Sequence, residues 1–135
     1  MIRPKDEIVV YQPNETTRLE VRVDQKTVWL TQAQLCQLFC RERSVITKHI
    51  RNVFVEGEVD EKSNVHFLHI PNSDKPVSFY SLNVIISVGY RVKSIVGTHF
   101  RIWANKVLEN HILGLSAYIR ASTTASSSSM TLSGL

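Results

Sequence analysis

The chain has few of the residues on which small secreted or metal-dependent domains rely. Its 135 residues include two cysteines, five glycines and four prolines. Cys36 and Cys40 alone form neither a disulfide framework nor a zinc site, because a structural zinc ion needs four ligands at characteristic spacings. We therefore expect no metal and no disulfide. We interpret Cys36 as a small apolar residue that faces the following helix.

Long apolar runs, a signal peptide and catalytic motifs are also missing. No apolar stretch reaches the roughly 20 residues of a membrane-spanning helix, and residues 1–7 lack the apolar core of a signal peptide. Paired carboxylates, a nucleophile elbow and a Gly-rich phosphate loop do not occur. We therefore expect a cytoplasmic protein that is not an enzyme, has no cofactor, takes no small-molecule substrate and does not contact a membrane.

The charges that are present favour a polyanionic partner. The net charge is +4 and the pI is about 9.3. Residues 41–51 contain four cations and one acid, and residues 91–106 contain four cations and no acid, with an acidic connector at 56–61 between them. Because clustered lysine and arginine are the electrostatic footprint of nucleic-acid binding, we expect a basic surface.

Residues 28–55 carry the clearest functional pattern. Thr31 is suited to cap a first helix, and Ser44 a second one. Apolar residues recur at helical spacing in both segments: Leu35, Leu38 and Phe39, then Ile46, Ile50, Val53 and Phe54. The other face of the second helix is polar and basic, as in a helix-turn-helix whose second helix enters the major groove. The alternative is an ordinary helical hairpin with a solvated face, since Cys40 and Arg41 replace the usual glycine and apolar turn residues.

We assign DNA contacts to this polar face and its surroundings. The predicted DNA-binding residues are Arg41, Arg43, Ser44, Thr47, Lys48, Arg51, Asn52 and Lys75. Lys48 and Arg51 would reach bases or phosphates, because lysine and arginine suit guanine edges. Three polar side chains of the same helix would support them, and the two arginines before it would contact phosphates. Lys75 lies at the tip of a later hairpin.

The remainder of the chain predicts an α+β fold. Residues 8–11 and 19–23 form an N-terminal β-hairpin that leads to a short strand at 27–29. Residues 65–70 and 77–80 form a second hairpin after the helix pair. Such a hairpin is a wing that can rest on the DNA backbone or in the minor groove, or it is a plain structural hairpin.

Two further helices and a low-complexity tail complete the prediction. Ser81 caps a helix that ends near Gly89, since glycine is common just after a helix C-terminus, and residues 98–113 form the last helix. Residues 1–113 are thus one winged helix-turn-helix domain. The Ser/Thr-rich residues 114–135 are expected to be disordered, because they offer little apolar surface to bury.

Aromatic and exposed apolar positions give two more expectations. Trp29, Phe100 and Trp103 should be largely buried as core anchors. Ile102 should point outward from the last helix. Because one recognition helix makes few base contacts, the chain should form a homodimer through that helix.

Four strings of the chain resemble the RhuM family of bacterial virulence-associated proteins. They are VWLTQAQL at 28–35, KHIRNVFVEGEVD at 48–60, FYSLNVIISVGYRV at 79–92 and GTHFRIWA at 97–104. The resemblance covers about residues 8–113, and VGYRV and FRIWA are its most specific parts. The final helical region is more loosely similar to the N-terminal domains of phage antirepressors and baculovirus repeated-gene proteins, which bind DNA.

This resemblance implies a DNA-binding module, a transcriptional regulator of mobile-element or virulence-region origin. An antirepressor-type protein-interaction module that binds a regulatory partner is the alternative. Related domains are also fused to Fic domains, whose His-Pro-Phe motif this chain lacks, so nucleotide transfer is not implied. Family chains continue into a further basic helical segment where this one turns at 114–116 into its tail, which suggests a truncated or altered copy.

Overall fold

The computed structural model describes residues 7–112, so the predicted disorder of residues 114–135 concerns residues outside them. The described part contains five strands and five helices. They are β1 Glu7–Tyr11, β2 Leu19–Val23, β3 Val28–Thr31, α1 Gln32–Phe39, α2 Arg43–Val55, α3 Glu61–Asn64, β4 Val65–Leu68, β5 Val77–Ser81, α4 Leu82–Arg91 and α5 Ile95–Ile112. The α+β class is confirmed. The short helix α3 was not predicted, and α5 begins three residues earlier than expected.

The strands form one antiparallel sheet in the order β1-β2-β3-β5-β4. Both predicted hairpins are present, as β1–β2 and β4–β5. The second hairpin is part of the main sheet, because β5 lies between β3 and β4. It joins there through three residue pairs, in which Trp29 faces Ser81, Leu30 faces Tyr80 and Thr31 faces Phe79.

The helices cover one face of this sheet and bury a single apolar core. Alternate strand residues such as Val9, Val21 and Leu30 point into it, as the two-residue period of a strand requires. Phe100 of α5 is fully buried and meets the Tyr11 ring edge-on at 5.0 Å between centroids. Burial raises the pKa of Tyr11 to about 12. This core fixes α5 against the N-terminal hairpin.

The opposite face of the sheet carries a second group of rings. Trp29 is 3% exposed and stacks on His66 with 3.9 Å between ring centroids, and its Nε1 donates a 2.8 Å hydrogen bond to Asp24 Oδ2. The Arg22 guanidinium lies 4.9 Å from the Phe79 ring centroid, a cation–π arrangement. Trp29 is therefore buried as predicted, but on the face away from the helical core.

Trp103 packs against the core as expected, but it is less deeply buried than Phe100. Its side chain is half-buried at the rim of the core, while Phe100 is confirmed as fully buried. The Trp103 ring lies 4.7 Å from that of Tyr11, which belongs to the edge strand β1. Within residues 7–112, β1 is an edge strand of the sheet, which places Trp103 at the rim of the core.

Local hydrogen bonds fix the starts of α1 and α4 as predicted. The Gln34 N–H donates to Thr31 Oγ1 at 3.2 Å, and the Thr31 N–H donates to Gln34 Oε1 at 2.9 Å, which completes a capping box. Ser81 accepts from the Val84 N–H at 3.5 Å. Both caps come from side chains within three residues of the groups that they satisfy, which is why the sequence reveals them.

Two predicted helix boundaries are wrong. Ser44 does not cap α2, because the carbonyl of Glu42 already accepts the Ile46 N–H at 3.1 Å and the helix begins at Arg43. Gly89 does not follow a helix but lies buried inside α4. A Cβ on Gly89 would lie 3.4 Å from the Gly97 Cα, so the glycine permits close packing of α4 against α5.

Left-handed residues end three of the helices. Cys40 after α1 has φ 54°, Gly57 after α2 has φ 75° and Lys93 after α4 has φ 55°. In each case the next N–H bonds back to a carbonyl five residues earlier, as with Arg41 to Cys36 at 3.2 Å. These are Schellman ends, in which glycine is the favoured left-handed residue. Cys40 therefore adopts the left-handed conformation that glycine usually provides in the turn of a helix-turn-helix.

We predict that Cys40→Gly raises the free energy of unfolding by about 1 kcal/mol, because glycine removes the steric cost of the left-handed conformation. Urea denaturation measures the change. Cys40→Ala is the control, since alanine retains a Cβ and should give no gain. Equal stability of the glycine and alanine variants would contradict the strain at this turn.

Candidate nucleic-acid interface

The exposed side of α2 gathers most of the residues predicted to bind DNA. Arg43, Ser44, Thr47, Lys48 and Arg51 are exposed there, and we call these five the α2 face. The apolar stripe on the other side of the helix is buried, at Ile46, Ile50 and Val53. Asn52 is half-buried at the margin between the two sides. Burial of this apolar stripe thus fixes the rotation of α2 about its own axis, so that its cations face solvent.

The three cations of the α2 face are not neutralised by acids of the described chain. Within residues 7–112, Arg43, Lys48 and Arg51 make no ion pair. Long cationic side chains without internal partners can reach an external anion at little structural cost. Three exposed cations on one side of a helix form a positively charged surface, which is suited to a polyanionic ligand.

Gln32 holds the α2 face against α1. Its Nε2 donates to Thr47 Oγ1 and to the carbonyl oxygen of Arg43, the latter at 3.3 Å. Thr47 is therefore already engaged by a side chain of the preceding helix, which fixes the angle between α1 and α2. Gln32 is not among the residues predicted from the sequence to form the site. Its position at the start of the first helix can be recognised locally, but its partner Thr47, 15 residues away across the turn, cannot.

Arg41 lies outside the α2 face and joins two helix ends. Its Nη1 donates to the carbonyl of Phe39 at 3.0 Å, and its Nη2 donates to the carbonyl of Val92 at 3.3 Å. These carbonyls belong to the C-terminal ends of α1 and α4, where a cation also meets the negative end of the helix dipole. The structure thus places Arg41 as a positioning residue, whereas we predicted a phosphate contact for it.

His49 lies on the flank of α2 among cations. Its imidazole is half-buried, and Nδ1 finds no hydrogen-bond partner in residues 7–112. Burial lowers the pKa of His49, and the nearby charges of Arg91, Lys48 and Arg41 lower it further. The neutral ring is therefore favoured, which leaves the positive charge of this region to the arginines and lysines.

The second basic segment, residues 91–106, contains one cation that is paired within the described chain and others that are not. Arg91 donates to Glu56 Oε1 at 2.7 Å and to Glu58 Oε2, so it ties α4 to the end of α2. The hydrogen bond to Glu56, with help from Glu58, raises the pKa of Arg91. Lys93 is exposed and Arg101 is half-buried beyond this pair. The acidic connector thus serves to hold Arg91 in place.

Lys75 sits apart from the α2 face. It is exposed in the turn between β4 and β5, and β4 is an edge strand of the sheet. Within residues 7–112, the Lys75 ammonium makes no hydrogen bond or ion pair with α2. The structure therefore brings together the five residues of the α2 face and Asn52, but not Lys75.

Metal and membrane features are not found in the described residues. Cys36 is half-buried against the core and Cys40 is exposed, and both are free thiols. Across residues 7–112 no three His, Cys, Asp or Glu side chains meet in a way that could hold a metal ion. No helix of that range is long and apolar enough to cross a bilayer.

Comparison with known proteins supports the resemblance seen in the sequence. Residues 59–118 match the sequence model of the Virulence protein RhuM family. This confirms the RhuM resemblance over α3 to α5, while the α2 face lies before the matched segment. No curated protein and no solved structure matches the chain significantly.

We predict that Arg41→Ala lowers the free energy of unfolding by about 1–2 kcal/mol, because two helix ends lose charge-assisted hydrogen bonds. Chemical denaturation followed by circular dichroism measures the loss. Arg43→Ala is the matched control, since its side chain is exposed without an internal partner and should change stability by less than about 0.5 kcal/mol. Equal losses in both variants would contradict the positioning role of Arg41.

Proposed function

We propose that this chain, whose residues 59–118 match the Virulence protein RhuM family, binds double-stranded DNA through α2 and acts as a transcriptional regulator. The observation that carries the proposal is the α2 face, with three exposed cations that no acid of residues 7–112 neutralises. Polar and basic residues on one side of a helix suit the hydrogen bonding and charge of the major groove. The Cys40–Glu42 turn makes α1 and α2 a candidate helix-turn-helix.

The dimensions of α2 are compatible with this role. Thirteen residues give a helix about 20 Å long, and the major groove of B-DNA admits one α-helix. Lys48 and Arg51 lie three residues apart and so project from the same side. We assign base or phosphate contacts to this pair, with Ser44, Thr47 and Asn52 in support.

Phosphate contacts are assigned to the start of α2. Glu42 provides no side-chain cap, so the first N–H groups of the helix keep their hydrogen-bonding capacity. A helix N-terminus with free N–H groups favours anions, and Arg43 adds a full positive charge there. Lys75 would contact the phosphate backbone of the DNA only if the β4–β5 turn reaches the duplex that α2 binds.

We predict that Lys48→Ala/Arg51→Ala abolishes or strongly weakens binding to duplexes selected from a random-sequence pool. The thermal midpoint should hardly change, because both residues are exposed. Fluorescence anisotropy over a salt series measures affinity. The slope of log K against log salt should fall by about 0.9 for each lost phosphate contact, through reduced counterion release.

Arg18→Ala/Lys26→Ala is the matched control, since it removes one arginine and one lysine from exposed positions at the ends of β2. This variant should retain duplex affinity nearly unchanged. If selection enriches no duplex, or if both double variants bind equally well, α2 is not a DNA-recognition helix and the proposal fails.

We further propose that the chain reads two half-sites as a homodimer through α5. Ile102 is 55% exposed on that helix, and dimers reach half-sites about 34 Å apart. Sedimentation at tens of micromolar, with and without a palindromic duplex, should show a dimer that Ile102→Asp disrupts. Asn105→Asp, at a neighbouring exposed position, is the charge control and should remain dimeric. A monomer under every condition would contradict this assembly.

A further inference from the structure

A groove opens between the end of α4 and the first half of α5. Its volume is about 420 Å³, and its lining includes Gly89, Tyr90, Lys93, Ile95, Gly97 and Arg101. Gly89 and Gly97 are buried where the two helices meet, since a Cβ on Gly97 would lie 3.3 Å from the Gly89 Cα. The two glycines let α4 and α5 approach closely here, and this contact forms one end of the groove.

Large apolar side chains stand exposed on this groove. Tyr90 is 80% exposed and Ile95 is 68% exposed, which makes them two of the most exposed large apolar residues of the described chain. Both line the same groove rather than being scattered over the surface. Contiguous exposed apolar groups around a concave site are typical of interaction surfaces.

The charge of the groove is positive. Lys93 and Arg101 line it, and no acidic residue of the described chain does. Glu56 and Glu58 of the acidic connector are bound to Arg91 rather than to these cations. A ligand that fills this groove would therefore need apolar groups for Tyr90 and Ile95 together with negative charge.

We propose that this groove, the α4–α5 groove, binds a partner protein through a segment in which acidic residues flank a large apolar side chain. The apolar side chain packs between Tyr90 and Ile95, and the carboxylates pair with Lys93 and Arg101. Tyrosine and arginine are enriched at the energetic centres of protein interfaces. The groove thus gives a defined surface to the protein-interaction alternative, and it does not rest on DNA binding by the α2 face.

Other occupants fit the groove less well. Interfaces with DNA are strongly polar, which does not suit an exposed isoleucine and tyrosine at the centre of the site. The chain's own C-terminal residues 113–135 contain no acidic side chain to meet Lys93 and Arg101. In a second copy of the chain, Glu56 and Glu58 already hold Arg91, so these two carboxylates are not free to pair with Lys93 and Arg101.

The test uses random 12-residue peptides displayed on phage, selected on the full chain, with enriched sequences then synthesised and labelled for fluorescence anisotropy. Enriched peptides should combine aspartate or glutamate with leucine, phenylalanine or a similar residue. Tyr90→Ala and Lys93→Glu should each weaken binding about tenfold or more, as expected for central interface residues. Both residues are exposed, so these variants should fold normally.

Matched controls separate the groove from general charge effects and from the α2 face. Lys62→Glu and Lys106→Glu reverse exposed charges outside the lining of the groove and should leave peptide affinity unchanged. Lys48→Ala/Arg51→Ala should also bind the peptides normally, which makes failure here distinguishable from failure of DNA binding.

Several results would overturn the proposal. Enriched peptides without acidic residues, no enrichment at all, or equal affinity for wild type and Tyr90→Ala would each do so. If Tyr90→Ala instead weakened duplex binding, the groove would be a nucleic-acid surface. If it abolished self-association in sedimentation, the occupant would be a second copy of the chain.

Discussion

The Phe39 ring packs against two glycines, and the placement of both candidate surfaces depends on that contact. A Cβ on Gly89 or on Gly97 would lie 3.4 Å from the ring, so α1, α4 and α5 meet where neither glycine has a side chain. On one side of this point the chain turns at Cys40 and leads into α2. On the other side the same two glycines line the α4–α5 groove. A Cβ on Gly97 would lie 3.3 Å from the Gly89 Cα, so a residue larger than glycine there would require a shift of a few tenths of an ångström where the helices meet.

Electrostatics then decide which basic residues remain available to a partner. Arg41 donates to helix-end carbonyls, and Arg91 is paired with Glu56 and Glu58 of the acidic connector. These bonds connect the end of α1 to the end of α4, and α4 to the end of α2. Lys48 and Arg51 have no such partner in residues 7–112 and face solvent. A net charge of +4 therefore includes cations bound to internal partners and cations that face solvent, which composition alone does not separate.

The two candidate surfaces differ in chemical character. The α2 face is polar and suits an elongated polyanion, while the α4–α5 groove combines two cations with exposed Tyr90 and Ile95. The RhuM match spans residues 59–118 and so contains the groove but not the α2 face. A regulator that contacts DNA with one element and a partner protein with another would use both, since the groove lining and the α2 face share no residue.

Local patterns in the sequence determined the elements. Alternating apolar residues predicted the strands, the helical stripe oriented α2, and Thr31 and Ser81 revealed helix starts, because their partners lie within three residues. Much of the fold and the exposed α2 face could thus be predicted. The role of Arg41 could not, because the carbonyl of Val92 lies 51 residues away. Nor could the place of Gly89 inside a helix or the groove beside it. These features arise only when distant helices pack, which no local spacing encodes.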